Sequence, residues 1–411
     1  MSTKFPIFRL PPASLKHVVL QMNPIEILDF YQCTDKTTKK NLTSICANKI
    51  DISVNFDVYG RRDALFKKFD KNRKYLVTLT GNGYTNYIYV MEKKLIEKKQ
   101  DLVDRTFGSR EIPCIFKKEE KKEEETDEVA QFDVNNTGNE SDEEDRHERK
   151  RNMNKKVIIT YWDDIFEGTM DLTDFFIQVF GSPISELILS RTMSIWSFRR
   201  VIQWLLASQT SIKKIVYMND ALSEEDIMMF FSNCNVLQSL TINMTVTEVI
   251  KSHRYFDLDV LRIGSASWVT LDYILDMDCV IMNLSGVYLT SQQFNMFVKH
   301  WLNGSNYRLQ LFTAYSREKI EKEEILDGIT YNERSRHLVT RFKKYRVRNS
   351  DYIYMILGGY DIRRSDGKLA TISVRMPGFF GLTIWNDDEI SGGWHSHRFS
   401  EDDTFRLIPI M

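Results

Sequence analysis

A chain of 411 residues with 42% hydrophobic and 12% aromatic content can bury more than one core, and roughly 150 residues per domain predicts two or three domains. Lys and Arg number 56 against 57 Asp and Glu, a formal net charge of -1, which excludes a protein that coats nucleic acid by bulk charge. The longest uncharged stretch, 279–298, carries Asn283, Ser285, Thr290, Gln292 and Gln293, too many polar groups for lipid, so no transmembrane helix and no membrane partner are expected.

The opening MSTKFPIFRLPP has an early proline and no apolar core of a signal peptide, so the expected location is cytoplasmic and/or nuclear. Residues up to about 45 predict short helices punctuated by prolines. Leu15, Val18, Val19 and Met22 recur at helical spacing and stop at Pro24. Ile25, Leu28 and Tyr31 form the next stripe, and Leu42 and Ile45 a third. Such a segment is too short for a stable core of its own, so its apolar faces meet either the rest of the chain or a different protein.

From Lys49 to Met91 the period changes: IDISVNFDVYG, KYLVTLTG and YTNYIYVM predict strands, the last two joined by a Gly81-Asn82-Gly83 turn. The segment 49–116 is therefore a small β-rich region. Residues 117–156 are dense in charge and nearly devoid of large apolar groups, which predicts a disordered charged insertion. Within it, Ser141 precedes four acidic residues and suits an acidophilic kinase, and 149–156 resembles a nuclear-import cluster; a plain solvated linker is the simpler reading of both.

Beyond the insertion strand and helix alternate. Leu187, Ile215, Leu240, Leu261, Val280 and Leu309 anchor short apolar runs at spacings of 28, 25, 21, 19 and 29, bracketing a leucine-rich-repeat period. The chain over 157–346 is thus expected to be an irregular, leucine-rich-repeat-like solenoid with a parallel sheet, a doubly wound sheet being the alternative. The stretch 347–411, with paired strands turning at Asp366-Gly367, predicts a C-terminal antiparallel β cap. The fold class is α/β.

Catalytic and metal-binding signals are weak. Five cysteines, Cys33, Cys46, Cys114, Cys234 and Cys279, stand at least 13 positions apart, which excludes CxxC spacing and predicts buried thiols. His395 and His397 fall on one face of a strand without a nearby third ligand. No GxSxG, P-loop or GxGxxG motif occurs, so no enzyme activity, cofactor or metal is expected. RFKKYRVR at 341–348 interleaves aromatics with cations and can stack on single-stranded nucleic acid, or is an exposed basic helix end. Trp196, Trp204, Trp268 and Trp301 sit among apolar neighbours and are expected in the core.

The first segment, FPIFRLPPASLKHVVLQMNPIEILDFYQCTDKTTKKNL, resembles an F-box through Leu10-Pro11, the apolar helix ending at Met22, Pro24-Ile25-Glu26, Leu28 and Cys33. It departs from that pattern at Pro12-Ala13 and at 35–38. ASWVTLDYILDM (266–277), LTSQQFNMFVKHWLNGSNYRLQLF (289–312) and YDIRRSDGKLATI (360–372) resemble the second type of F-box-associated domain of the large nematode F-box family. The resemblance implies a three-helix F-box at 1–48 and a substrate-recognition subunit of a Skp/cullin/F-box ubiquitin ligase. A Skp-type adaptor, and through it a cullin, would dock on Leu10, Pro11, Leu15, Val19, Met22, Ile25 and Leu28, some of which also hold the helical unit together. The later domain would recruit an unknown protein target, and catalysis would belong to the recruited machinery. The alternatives are a nucleic-acid-binding protein using 341–348 and a non-ligase interaction scaffold.

Overall fold

A computed structural model describes residues 10–56, 74–96, 102–118, 155–189, 193–221, 223–245, 256–335, 340–347, 350–375, 378–385 and 408–409. The chain is mixed α/β and divides into two compact units, Met1–Thr192 and Met193–Met411.

The first unit opens with helices α1 (Pro12–Val19), α2 (Pro24–Gln32) and α3 (Lys36–Cys46). Pro12 and Pro24 occupy first turns, where a missing N–H costs nothing. Asn23 caps α2 by accepting from Ile25 N and Glu26 N at 2.9 and 3.0 Å, while Glu26 returns a bond to Asn23 N. Asp35 caps α3 in the same way through Thr37 N and Thr38 N. Strands β1 (Asp51–Asn55), β2 (Lys74–Gly81), β3 (Tyr84–Glu92), β4 (Val103–Phe107) and β5 (Arg110–Lys118) follow. Then come β6 (Lys155–Trp162), helix α4 (Ile165–Phe180) and β7 (Ile184–Leu189). The strand order is β7-β1-β2-β3-β6-β5-β4, antiparallel except that β7 runs parallel to β1 and β6 parallel to β3.

The expected turn at 81–83 is present: Asn82 and Gly83 take φ of 55° and 79°, the left-handed pair a two-residue hairpin needs. Two expected boundaries meet structured elements. Lys117 and Lys118 end β5 and Lys155 and Lys156 begin β6; the rest of the expected insertion, residues 119–154 with Ser141, lies outside the described residues. The segment from 157 to 189, expected in the second domain, belongs to the first unit, because β6 is paired on both sides within it and α4 packs on β1, β2 and β3.

The second unit begins with α5 (Ile195–Ser208), β8 (Ser211–Ala221), α6 (Glu224–Asn233) and β9 (Asn235–Thr245). It continues through β10 (Val260–Ile263), α7 (Leu271–Asp276), β11 (Ile281–Val287), α8 (Ser291–Leu302), β12 (Leu311–Ser316) and α9 (Lys322–Ile325). β13 (Asn332–Arg334), β14 (Thr340–Val347), β15 (Ser350–Leu357), β16 (Gly359–Arg363), β17 (Leu369–Arg375), β18 (Phe379–Trp385) and β19 (Ile408–Pro409) complete it. β8, β9, β10, β11 and β12 lie side by side in chain order, all parallel. β18, β17, β16 and β13 then extend the sheet antiparallel, and the β16–β17 hairpin turns at Gly367 (φ 91°).

One register row fixes the core of this unit. Ile215, Leu240, Leu261, Met282, Phe312, Leu382 and Ile372 are successive partners across seven strands, and none is more than 1% exposed. Met282 and Phe312 therefore hold the positions expected of Val280 and Leu309. Phe297 of α8 meets Phe312 edge-on at 4.7 Å, and Phe294 stacks on Phe380 at 4.5 Å. Each such fully buried side chain contributes about 1.5–3 kcal/mol of transfer free energy. RFKKYRVR is not a helix end: 341–347 lie in β14, paired antiparallel with β15.

Candidate protein-interaction surfaces

The three N-terminal helices are stitched to the body of their own unit. The Asn82 amide donates to Met22 O at 3.0 Å, and Thr43 Oγ1 donates to Val179 O at 3.0 Å. Lys156 meets Glu26 at 3.2 Å, Arg105 pairs with Asp29, and Tyr31 packs edge-on against Phe175 of α4. Arg105 also lies 5.2 Å from the Phe116 ring, and burial lowers its pKa from the ordinary value. The apolar faces that sequence left open between two destinations thus meet this chain.

Of the seven residues expected at an adaptor, Leu15, Val19, Ile25 and Leu28 are 7%, 0%, 4% and 1% exposed and belong to this internal packing. Leu10 and Met22 are half-buried and Pro11 is exposed, which leaves these three within reach of another protein.

In the second unit the two ends of the parallel strands differ in character. At the C-terminal ends of β11 and β12, Tyr288 and Tyr315 are about half exposed. The Arg317 guanidinium lies 5.5 Å from the Tyr288 ring and donates to its hydroxyl at 3.3 Å, and Tyr315 packs on Phe379 at 5.0 Å. Tyr and Arg are the residue types that anchor protein interfaces, because they offer large area and polar atoms at little rotamer cost. A half-exposed polar row, Thr241, Arg262 and Asn283, crosses β9, β10 and β11, and Thr313 donates to Asn283 Oδ1 at 2.6 Å.

At the N-terminal ends, Arg308 gathers three carboxylates: it pairs with Asp257 and lies 3.2 Å from Asp259 and 3.7 Å from Asp278. It also donates to Asp278 O at 3.1 Å, and burial raises the Asp278 carboxyl from its usual range. Beside this cluster lies a cavity of about 290 Å³ lined by Phe230, Phe231, Leu240, Phe256, Leu258 and Asp257, among others. Sequence reasoning missed both features. The one signal was a charged residue just ahead of each of three consecutive strands, Asp259, Asp278 and Arg308, and its meaning depends on knowing that those strands are neighbours.

Chemistry-bearing groups elsewhere stay apart. Among the described residues no group of three or more His, Cys, Asp or Glu is placed to hold a metal, and His395 and His397 lie outside those residues. Cys46, Cys114, Cys234 and Cys279 are buried as expected, and burial pushes Cys46 up to about 11 and Cys114 and Cys279 to about 12. Cys33 departs from that expectation and is exposed at the end of α2. Trp268 and Trp301 are buried, but Trp196 is 74% exposed, with Arg199 lying 5.7 Å from its ring. No helix among the described residues is long and apolar enough to cross a membrane.

Residues 252–314, the stretch carrying β10, α7, β11, α8 and most of β12, match a family described as F-box associated. The chain is also similar, at 22% identity over 219 residues, to an uncharacterized protein of Caenorhabditis elegans. That match covers 52% of this chain and 49% of the relative, so the chain spans about half the length of the curated protein it matches. No solved structure matches the chain.

Proposed function

We propose that this chain is the substrate-recognition subunit of a Skp/cullin/F-box ubiquitin ligase, working in the cytoplasm and/or nucleus. The observation that carries the reading is the pairing, in one chain, of an F-box-associated stretch at 252–314 with an N-terminal trio of short capped helices. The trio is read as a divergent F-box that docks a Skp-type adaptor and through it a cullin. The sequential parallel strands β8 to β12 are read as a leucine-rich-repeat-like solenoid, whose two ends present side chains to a protein target. The chain contributes proximity and orientation, and the bond-making step belongs to the recruited ubiquitin-conjugating machinery.

Burial decides which residues can carry the adaptor contact. Leu15, Val19, Ile25 and Leu28 are buried, so charged substitutions there would unfold the unit and answer nothing about docking. Pro11 and Met22 are the informative positions. Co-expression with a Skp-type adaptor should give a one-to-one complex by size exclusion and calorimetry, lost in a Pro11→Asp, Met22→Arg double variant whose circular dichroism is unchanged. A folded wild-type chain without adaptor binding at about 50 µM, a concentration that reveals any interaction stronger than roughly 6 kcal/mol, would sink the ligase reading.

A further inference from the structure

We propose that Arg317, held by Tyr288 at the C-terminal ends of β11 and β12, is the recognition point for a carboxylate side chain presented by a segment of a protein target. The inference deepens the target-recruitment half of the reading above and rests on it only for the origin of that segment.

The backbone brings three side chains together. Tyr315 and Arg317 stand two positions apart where β12 ends, the spacing that sends both to one face of an extended chain. Arg317 N donates to Val287 O at 2.8 Å, which sets Tyr288 alongside. The guanidinium lies 5.5 Å from the Tyr288 ring, and its Nη1 donates to the Tyr288 hydroxyl at 3.3 Å, so one nitrogen is occupied and the group is held in place. Among the described residues Nε and Nη2 have no acceptor. A Cβ on Gly286 would sit 3.4 Å from Nε and 3.7 Å from Nη2, with no other atom of the guanidinium within 4 Å. Gly286 therefore faces the Nε–Nη2 edge and not the flat face, and, having no side chain at its φ of +79°, it leaves that edge uncovered. Two parallel N–H donors on one edge match the two oxygens of a carboxylate, which gives direction to the contact as well as charge.

The charges around the turn set the valence of the ligand. Among the described residues no carboxylate pairs with Arg317, whereas the next cation along the chain, Lys319, is taken by Glu321. One guanidinium thus stands ready for one negative charge. Glu318, exposed and adjacent in the chain, opposes a dianionic phosphate more strongly than a singly charged carboxylate. Tyr288 and Tyr315 offer half-exposed ring surface beside the guanidinium, and Tyr315 is braced on Phe379 at 5.0 Å, so apolar side chains next to the carboxylate gain burial there.

The test uses the purified full chain and fluorescence anisotropy with four fluorescein-labelled peptides that share Gly-Ser flanks and two Phe residues and differ only in the residue between the two, which is Glu, Gln, Lys or phosphoserine. The Glu peptide is expected to bind at least about tenfold tighter than the Gln peptide, with the Lys peptide weakest. Arg317→Gln, at an exposed position, should remove the advantage of Glu over Gln. Tyr315→Ser should weaken all four peptides and keep their order; near-ultraviolet circular dichroism checks that both variants fold. Equal binding of the Glu and Gln peptides, no binding of any up to about 1 mM, or a preference that survives Arg317→Gln overturns the site, and tighter binding of the phosphoserine peptide than of the Glu peptide overturns the carboxylate assignment. Selective peptide binding without an adaptor complex overturns only the ligase reading, and an adaptor complex without selectivity overturns only the Arg317 site.

Discussion

The side-chain amide of Asn82, at the tip of the β2–β3 hairpin, donates a 3.0 Å hydrogen bond to the carbonyl of Met22, in the link between the first two helices. One residue thus does two jobs, supplying a left-handed turn conformation at φ 55° and tying the helical trio to the sheet. Asn82→Gly keeps the turn and loses the tie, and should cost about 1 kcal/mol in urea unfolding, with faster proteolysis at the link between α1 and α2. Asn82→Ala loses both and should cost about 1–2 kcal/mol more, the strain of an alanine in that conformation. Equal unfolding midpoints for the two variants would show that the turn and the tie are not separable in this way.

Asn86 in β3 is fully buried, and among the described residues neither its amide nitrogen nor its carbonyl oxygen has a hydrogen-bond partner. Its partners across the sheet are Leu79 and Lys156. Removing two unsatisfied polar atoms from such a site should more than offset a small change of shape, so Asn86→Val is expected to stabilise the first unit by about 1–2 kcal/mol. Thermal unfolding measures it; a lowered midpoint would count against the desolvation argument.

Asp226 carries a pH signature. Burial by itself would raise its carboxyl, but hydrogen bonds from Arg199 at 2.5 Å and from Ser223 outweigh burial and hold it below the usual carboxylate range. The folded state therefore favours the ionised form, and this contribution is present at neutral pH and disappears as pH falls through the depressed value. Arg199→Ala should lower the urea midpoint at pH 7, and the gap to wild type should close as pH falls below the usual carboxylate range. A gap that widens on acidification would reverse the assigned sign.

Gly378 joins the parallel strands to the antiparallel addition. Its carbonyl accepts from Ser316 N at 2.7 Å, its φ is +81°, and a Cβ there would sit 2.2 Å from the Ser316 carbonyl oxygen. Gly378→Ala must move backbone as well as strain it, so a loss of about 2–4 kcal/mol is expected. Hydrogen exchange should rise first along β12 and β18, and protection unchanged in both strands would refute the placement of this junction.

What sequence could read here follows from how local each signal was. The Asn82-Gly83 turn needs only two residues and their flanks, and it was legible. Leu187, Ile215, Leu240 and Leu261 were correct strand markers, but in the continuous apolar run from Val280 to Met282 no alternation marks the phase, and only pairing with Leu261 selects Met282. RFKKYRVR places Phe342 and Tyr345 three apart, which fits neither strand face cleanly, and its strand character comes from β15. Likewise β6 lies parallel to β3 with β4 and β5 between them in the chain, a non-local pairing with no sequence mark. Among the candidate sites, the amphipathic stripes of α1 and α2 were legible, whereas what covers them was not, since burying Leu28 against a sheet or a partner needs the same residue. The Arg308 cluster and the cavity beside it arise only when β9, β10, β11 and β12 are set side by side.

The pairing of Lys118 with Lys156 has a practical side. Because two antiparallel neighbours hold these ends beside each other, whatever joins them closes a gap already fixed by the sheet, and doubling its length adds only about 0.6 kcal/mol of closure entropy. An engineer who adds a flexible linker carrying a fluorescent reporter between Lys118 and Lys155 should therefore leave the register of β5 and β6 as it is.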